Sequence, residues 1–219
     1  MKRAFVFPGQ GSQAVGMGRE LADALPAARE VFQEVDDALL QNLTRLMFDG
    51  PLEELTLTEN AQPALMAVSL AVVRAIETLG GKSLAELGSY VAGHSLGEYS
   101  ALCAAGSLGI TETARLLKRR GQAMQEAVAV GEGAMVALMG IDIEAARAIA
   151  EEAAQGEVCV PANDNAPGQV VLSGHKAAVE RAAEALARKG GARATMLPVS
   201  APFHCPLMPP AAEAMAEAL

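Results

Sequence analysis

The apolar positions of the first 130 residues predict strands that alternate with helices. Residues 3–7 are apolar and β-prone, and this run stops at a glycine-rich loop. A second short apolar run, Tyr90-Val91-Ala92, leads through a glycine-flanked turn into a helix-prone segment. Helical spacing covers three further regions: 17–41 with a break or bend near Pro26, 61–79 between a cap at Asn60 and a stop at Gly80-Gly81, and 111–128 with Thr111 as a cap. This alternation is typical of an α/β fold.

Between residues 131 and 199 the spacing follows a second regular order. Strand-like and helix-like patterns succeed one another at 134–139, 142–154, 158–160, 169–172, 176–188 and 194–199. The resulting order, βαββαβ, is typical of a ferredoxin-like unit. We therefore expect a ferredoxin-like small subdomain over 131–199, inserted in a larger α/β domain that residues 1–130 and 200–219 form.

Charge and composition narrow the class of protein. The 219 residues include 17 basic and 26 acidic side chains, and the net charge of -9 disfavours nucleic acid and anionic membranes as partners. The longest apolar stretch, 64–73, is about half as long as a bilayer-spanning helix. The three cysteines follow no paired spacing, and no signal-peptide pattern opens the chain. We expect a cytoplasmic monomer with free thiols.

The segment Gly93-His94-Ser95-Leu96-Gly97 fits a nucleophile elbow. Glycines on both sides of a serine allow a sharp strand-to-helix turn that exposes the hydroxyl. The N-terminus of the following helix also favours negative charge at this point. Ser95 is therefore the candidate nucleophile, with an ordinary turn in which Ser95 caps the helix as the alternative.

A serine nucleophile needs a base, and the chain has three histidines. His94 adjoins Ser95 and should point elsewhere, and His175 opens a predicted helix, where a solvated or capping role fits better. His204 lies in the proline-flanked loop 201–206, which can hold an imidazole in place. His204 is the candidate base, although a packed or solvated His204 explains the sequence equally well.

Arg120 falls on the apolar stripe of its predicted helix and therefore needs an anion. Its planar donors match a substrate carboxylate or a structural Asp or Glu, and the pattern alone favours the structural partner. The backbone N–H groups of Gln10 and Leu96 are candidates for an oxyanion hole, although Gln10 by itself also fits a plain tight turn. No set of residues has metal-ligand spacing, so we expect no metal.

Four separated segments carry a resemblance in combination. They are Phe7-Pro8-Gly9-Gln10-Gly11-Ser12-Gln13, Gly93-His94-Ser95-Leu96-Gly97-Glu98-Tyr99, Arg120-Gly121 with Met124-Gln125, and Phe203-His204. Together they resemble the malonyl-CoA:acyl carrier protein transacylase family of type II fatty acid synthesis. The segment 163–174 is also similar to a hairpin in the small lobe of that family, so the resemblance covers essentially the whole chain.

This resemblance implies an α/β-hydrolase-like large domain with an inserted ferredoxin-like lobe. It implies transfer of malonyl from coenzyme A to the phosphopantetheine thiol of acyl carrier protein through a serine ester, without a cofactor. The implied site residues are Ser95 as nucleophile, His204 as base, Gln10 and Leu96 as oxyanion hole, and Arg120, Met124, Asn163 and Phe203 as substrate-binding residues. Leu96 and Phe203 also match the malonyl-selective form of their motifs, which disfavours methylmalonyl.

Two other functions stay open at this point. A serine hydrolase or thioesterase would share the elbow and the oxyanion hole but deliver the acyl group to water. An inactive truncated fragment is the other, because family members continue beyond the position of Leu219 and take from that part the carbonyl that orients the histidine. We accordingly expect that the chain lacks the C-terminal portion of the family.

The acidic carrier protein would need a local basic patch on this acidic chain. Arg188, Lys189 and Arg193 around the Gly190-Gly191 turn form the candidate docking cluster.

Overall fold

The computed structural model describes residues 2–189, 192–199 and 201–219, apart from the side chain of Lys189. The chain divides into two compact units, the first ending at Gln122 and including Leu219, the second running from Ala123 to Ala218. Both units combine helices and strands, so the predicted α/β class is confirmed. The predicted domain bounds at 130/131 and 199/200 stay a prediction.

A two-stranded parallel sheet in the first unit carries the elbow segment at its end. Strand β1 (Ala4–Phe7) pairs with β2 (Tyr90–Gly93), and Phe7 stands opposite Gly93. The His94 N–H donates to the Phe7 carbonyl at 3.0 Å, so the pairing continues to the residue before Ser95. Because the carboxyl ends of parallel strands meet at one edge, the loop after β1 lies beside the elbow.

Helices surround this sheet in the first unit. Within the described part they are α1 (Arg19–Ala24), α2 (Pro26–Leu39), α3 (Leu43–Asp49), α4 (Leu52–Thr56), α5 (Thr58–Gly80), α6 (Leu84–Leu87), α7 (Leu96–Ala104) and α8 (Ile110–Glu126), whose last residues belong to the second unit. Pro26 occupies the first turn of α2, where its missing N–H would have no acceptor in the helix, so the predicted break near Pro26 is confirmed. Helices α3, α4 and α6 are not among the predicted elements, because four to seven residues carry too little periodicity.

Two predicted helix caps are wrong. Helix α5 begins at Thr58, and Asn60 is buried in its first turn, where its amide donates to the Glu54 carbonyl and accepts from Lys118, each at 3.0 Å. Helix α8 begins at Ile110, so Thr111 lies inside it and donates to Glu34 at 3.0 Å. In both cases a partner elsewhere in the fold replaces the local cap.

Helix α5 is the core helix of the first unit. With 23 residues it is long and apolar enough to cross a membrane by length and composition alone, yet half of its most apolar window is buried inside the protein. Leu65, Met66 and Leu70 belong to the main hydrophobic cluster of this unit. This burial matches the buried helix that the apolar stretch 64–73 predicted.

The second unit contains a four-stranded antiparallel sheet with strand order β4-β5-β3-β6. Its elements are β3 (Gly133–Met139), α9 (Ile143–Ala154), β4 (Cys159–Ala166), β5 (Gln169–His175), α10 (Lys176–Lys189), β6 (Arg193–Met196) and α11 (Pro209–Ala218). One cluster joins Val136 and Leu172 of the strands to Ile149 and Leu186 of the helices. The succession from β3 to β6 is the βαββαβ order that the periodicity predicts, with longer β4 and β5 strands.

Helices α5 and α8 approach each other closely at Gly121. A Cβ atom at Gly121 would overlap the Glu59 Cα atom and lie 2.7 Å from the Glu59 nitrogen. Beside this contact, Lys118 pairs with the Glu59 carboxylate at 2.9 Å, and Gln122 donates to it at 3.3 Å. Because Arg120 precedes Gly121 in the chain, the close approach also sets how near Arg120 lies to α5.

Replacing Gly121 by alanine tests this packing, because two effects predict opposite signs. Helix propensity favours alanine over glycine by about 1 kcal/mol, whereas overpacking costs about 1–3 kcal/mol. Since the overlap is with backbone that cannot rotate away, we expect Gly121→Ala to lower the free energy of unfolding, measured by chemical denaturation. Gly80 is a helical control with no atom within 4 Å of an added Cβ, and Gly80→Ala should leave the stability equal or higher. A Gly121→Ala protein as stable as the wild type would contradict the close approach.

Candidate functional site

Ser95 stands at the turn between β2 and α7. Its backbone has φ 53° and ψ −112°, a conformation that side-chain-bearing residues rarely adopt. Added Cβ atoms would overlap backbone on both sides, at Gly93 with the Gly97 carbonyl and at Gly97 with the Phe7 carbonyl oxygen. Ser95 takes the N-cap position of α7, but its side chain makes no capping hydrogen bond. The turn therefore has the glycine-dependent geometry of the predicted elbow, and the alternative of a serine side-chain cap is wrong.

Both predicted catalytic residues, Ser95 and His204, have a positive φ that no helix end explains. Among the described residues, Leu40, Ser95, Gln155 and His204 are the non-glycine positions with positive φ. Leu40 and Gln155 are the left-handed C-caps of α2 and α9, a common way to end a helix. Ser95 and His204 end no helix, and strain of this kind clusters at functional sites.

The Arg120 guanidinium lies directly beside the Ser95 hydroxyl. Arg120 donates from one terminal nitrogen to Ser95 Oγ at 3.1 Å and from the other to Gln62 Oε1 at 2.7 Å. The guanidinium carbon is 5.7 Å from the centre of the Tyr99 ring. Burial lowers the pKa of Arg120, but an arginine side chain stays charged at neutral pH.

Among the described residues, no carboxylate forms an ion pair with Arg120, although the charge of Glu98 acts on it from a greater distance. Within the described part of the chain, no Asp or Glu oxygen lies within 4.0 Å of its nitrogens. The prediction of a structural Asp or Glu as the partner of Arg120, which the helix pattern favoured, is therefore wrong. A partly buried cation held by neutral acceptors retains the capacity to bind an anion, which agrees with the other prediction, a substrate carboxylate.

The two predicted oxyanion donors are the backbone N–H groups of Leu96, which follows Ser95, and of Gln10, in the loop after β1. Leu96 is the first residue of α7, so its N–H has no acceptor within the helix, and its side chain is buried in the core. Gln10 lies in the turn after β1, and the preceding Gly9 leaves room for the imidazole of His94, which an added Cβ would overlap. The loop of Gln10 thus packs against the elbow itself, whereas the oxyanion role of both N–H groups stays a prediction.

Two buried polar residues of α5, which the sequence analysis missed, connect Arg120 to Gln10. Thr58 and Gln62 are each 1% exposed. Gln62 Nε2 donates to Thr58 Oγ1 at 2.9 Å, and Thr58 Oγ1 donates to Gln10 Oε1 at 3.0 Å. The available signal was their spacing of four residues, which places two polar side chains on one face of an otherwise apolar helix.

The remaining predicted site residues belong to the second unit. Met124 and Phe203 are buried in one hydrophobic cluster. Asn163 is half-buried in β4, and His204 is an exposed residue in the loop before α11, with φ 56°. The base role of His204 and the substrate-binding roles of the other three stay predictions.

The other histidines and the cysteines do not rival Ser95 and His204. His175 Nδ1 accepts from the Val158 N–H at 2.9 Å, a structural role that differs from the solvated or capping one expected for it. Burial raises the pKa of all three thiols, that of Cys159 to about 11, and a protonated thiol is a poor nucleophile. The described residues contain no group of three or more His, Cys, Asp or Glu that could hold a metal ion.

The predicted basic cluster is described only in part. Gly190, Gly191 and the side chain of Lys189 lie outside the described residues. Arg188, near the end of α10, is 71% exposed and lies 3.7 Å from Glu184, and Arg193 is exposed at the start of β6.

Comparisons with known proteins agree over nearly the whole chain. A family model of the acyl transferase domain matches residues 4–219. The malonyl CoA-acyl carrier protein transacylase of Escherichia coli strain K12 is 50% identical over 213 residues, which are 97% of this chain and 68% of the relative. The crystal structure of acyl-carrier-protein-S-malonyltransferase from Bartonella henselae is 58% identical with a TM-score of 0.96, and the match covers 100% of this chain and 69% of that one.

A further similar structure contains two proteins, a type II PKS acyl-carrier protein in complex with its malonyl-transacylase. The match has a TM-score of 0.93 at 48% identity, and it covers 99% of this chain and 69% of that one. In each of these comparisons nearly all of this chain corresponds to about two thirds of the relative. The chain therefore belongs to the acyl transferase domain family.

Proposed function

We propose that the protein is an [acyl-carrier-protein] S-malonyltransferase, which moves malonyl from coenzyme A to the phosphopantetheine thiol of acyl carrier protein in fatty acid biosynthesis. The observation that carries this proposal is the 3.1 Å contact between Ser95 Oγ and a guanidinium without a carboxylate partner among the described residues. A malonyl thioester bound at Ser95 would supply both an electrophilic carbonyl and the anion that Arg120 lacks. The names of the E. coli relative and of the carrier-protein complex support the same donor and acceptor.

In the proposed cycle, Ser95 Oγ attacks the thioester carbonyl while His204 takes the hydroxyl proton. The N–H groups of Gln10 and Leu96 stabilise the negative charge on the tetrahedral carbonyl oxygen. Coenzyme A leaves as a thiol with the proton from His204, and the malonyl group remains on Ser95 as an ester. The pantetheine thiol of the carrier protein then gives its proton to His204, its sulfur attacks the ester carbonyl, and Ser95 recovers its hydrogen. Acyl substitution and proton transfer account for every step, so the cycle uses no cofactor besides the coenzyme A thioester.

The acyl selectivity follows from what surrounds Arg120. Its two terminal nitrogens match the two oxygens of the malonyl carboxylate. The nitrogen that donates to Ser95 Oγ would then donate to the substrate carboxylate instead. Met124, Phe203 and Asn163 are proposed to line the acyl site, and the burial of Met124 and Phe203 in one cluster supports a fixed apolar wall. Malonyl rather than methylmalonyl remains the proposed group.

We also propose that the first unit is α/β-hydrolase-like and the second ferredoxin-like. The strained elbow after a parallel strand supports the first assignment. The strand order β4-β5-β3-β6, with helices α9 and α10 as the connections from β3 to β4 and from β5 to β6, supports the second. The burial of α5 in the core and the absence of a disulfide among three free cysteines support a cytoplasmic enzyme, which we propose acts as a monomer.

Replacing Ser95 by alanine should abolish acyl-enzyme formation and preserve the fold. The hydroxyl makes no capping hydrogen bond, and alanine fits the space that serine occupies. Intact mass after brief exposure to malonyl-CoA should show one malonyl adduct on the wild type and none on Ser95→Ala, with similar melting temperatures. A malonyl adduct on the alanine variant would show that Ser95 is not the nucleophile. Release of free malonate faster than transfer to carrier protein would instead identify a hydrolase.

Replacing Arg120 by alanine should separate malonyl from acetyl transfer. The lost charge-assisted contact is worth about 1.5–3 kcal/mol, so acylation by malonyl-CoA should fall at least about tenfold. Acylation by acetyl-CoA, which offers no carboxylate, should change little. Arg120→Lys should restore only part of the malonyl rate, because a point charge does not reproduce the planar fork. A parallel loss with both donors, together with a lower melting temperature, would mean that Arg120 serves the fold alone.

Reversing charges in the basic cluster should weaken the carrier-protein step alone. Arg188→Glu with Arg193→Glu should raise the apparent KM for carrier protein, because the partner is acidic, and spare the KM for malonyl-CoA. Arg147→Glu is the matched control, since Arg147 is an exposed arginine of the same unit, 54% accessible and beside Glu144 in α9. Equal effects on both substrates, or an equal effect of the control, would place the docking surface elsewhere.

A further inference from the structure

The hydrogen bonds from Arg120 to Gln10 have a fixed direction. An arginine side chain only donates, so Gln62 must turn its amide oxygen toward Arg120 and its NH2 group toward Thr58. The Thr58 hydroxyl, which accepts from Gln62, then has its single proton for Gln10 Oε1. Because Arg120 can only donate, it sets the orientation of three neutral side chains in turn, those of Gln62, Thr58 and Gln10.

This chain of hydrogen bonds requires two polar side chains to be buried, which costs free energy. Thr58 and Gln62 are almost completely buried, and a buried hydroxyl or amide costs free energy unless it is hydrogen-bonded. Thr58 and Gln62 connect Arg120, proposed to bind the substrate carboxylate, to the Gln10 loop, proposed to bind the carbonyl oxygen. The carboxylate and the thioester carbonyl are the two ends of one malonyl group.

We propose that Gln62 and Thr58 are positioning residues, Gln62 for the Arg120 guanidinium and Thr58 for the Gln10 loop, so that carboxylate binding and oxyanion stabilisation are coupled. This proposal rests on the proposed malonyl transfer. Gln62 holds one guanidinium nitrogen by a neutral acceptor, which fixes the orientation of the fork and preserves its charge for the substrate. Thr58 ties the Gln10 side chain to α5, which restrains the backbone N–H of the same residue.

The roles of the two residues predict different kinetic effects. Gln62→Met keeps the volume but removes the hydrogen bonds to Arg120 and Thr58, so acylation of Ser95 by malonyl-CoA should slow about tenfold while acylation by acetyl-CoA changes little. In an Arg120→Ala background, Gln62→Met should have no further effect on malonyl acylation. Intact mass measures the single-turnover rate of acylation by malonyl-CoA and by acetyl-CoA in the wild type, the two single variants and the double variant.

Gln62→Glu separates activity from stability. Its carboxylate would pair with Arg120 and accept the proton of Thr58, which turns that hydroxyl away from Gln10. We expect a melting temperature equal to or above that of the wild type and malonyl acylation at least about tenfold slower, because the substrate then competes with an internal anion. A role in folding alone would predict no loss of rate in a protein of full stability.

Thr58→Val tests the link to the oxyanion loop. Loss of the hydroxyl should slow acylation by malonyl-CoA and acetyl-CoA by a similar factor, about three- to tenfold, since both donors need the oxyanion hole. Thr58→Ser keeps the hydroxyl and should restore most of the rate. Thr113→Val is the matched control, because Thr113 is fully buried on α8 and its hydroxyl donates to the Gly109 carbonyl, outside this hydrogen-bond chain. It should lower stability and leave the acylation rates with malonyl-CoA and with acetyl-CoA both unchanged.

The outcomes distinguish this proposal from the proposed function. A wild-type chain that forms no malonyl ester would overturn both. If the wild type is acylated, the positioning roles alone fail when Gln62→Met slows both donors equally, when its effect persists without Arg120, or when Thr58→Ser is as slow as Thr58→Val.

Discussion

The candidate site depends on how the Arg120 guanidinium is held. A partly buried cation normally recovers its lost hydration from a carboxylate, but Arg120 is held by the Gln62 amide, the Ser95 hydroxyl and the face of Tyr99. The amide and the hydroxyl each accept one hydrogen bond from the guanidinium, and none of these neutral groups cancels its charge. A structural Asp or Glu in place of Gln62 would pair with the Arg120 guanidinium and neutralise its charge, and a substrate anion would then have no free cation to bind.

Two neighbouring cations of α8 illustrate the difference. Lys118 pairs with Glu59 at 2.9 Å, and its hydrogen bond is the main cause that lowers the pKa of that carboxyl. Arg120, two residues later, donates instead to a neutral residue of the same helix α5, the amide oxygen of Gln62. The close approach at Gly121 brings both cations to α5, so the side chains at 59 and 62 decide which charge is neutralised and which stays available.

The serine is placed by backbone packing rather than by its own contacts. Parallel pairing of β1 and β2 ends both strands at one edge, and the glycines around Ser95 let the turn press against the Phe7 and Gly97 backbone. This arrangement imposes a positive φ on Ser95, a cost that the surrounding contacts must offset. It leaves the Ser95 hydroxyl beside Arg120 and the N–H of Leu96 at the start of a helix, where negative charge is favoured.

Most of the local structure could be predicted from the sequence, because a short window contains its cause. Periodicity sufficed for β1, β2, α5 and the order from β3 to β6, and the elbow around Ser95 was recognisable because its two glycines and its serine are contiguous. Helices of four to seven residues escaped prediction for lack of periodicity. Asn60 is not a cap because α5 begins at Thr58, and its amide oxygen accepts from Lys118, 58 residues away in the chain.

The sequence by itself determined the longer elements, the elbow and the presence of a cation on an apolar helix face. Tertiary structure decided what that cation contacts. Gln62 lies 58 residues from Arg120 in the chain, and Gln10 lies 48 residues from Thr58. No local pattern encodes such pairs, since they arise only when parallel strands align two loops and two helices pack at a glycine.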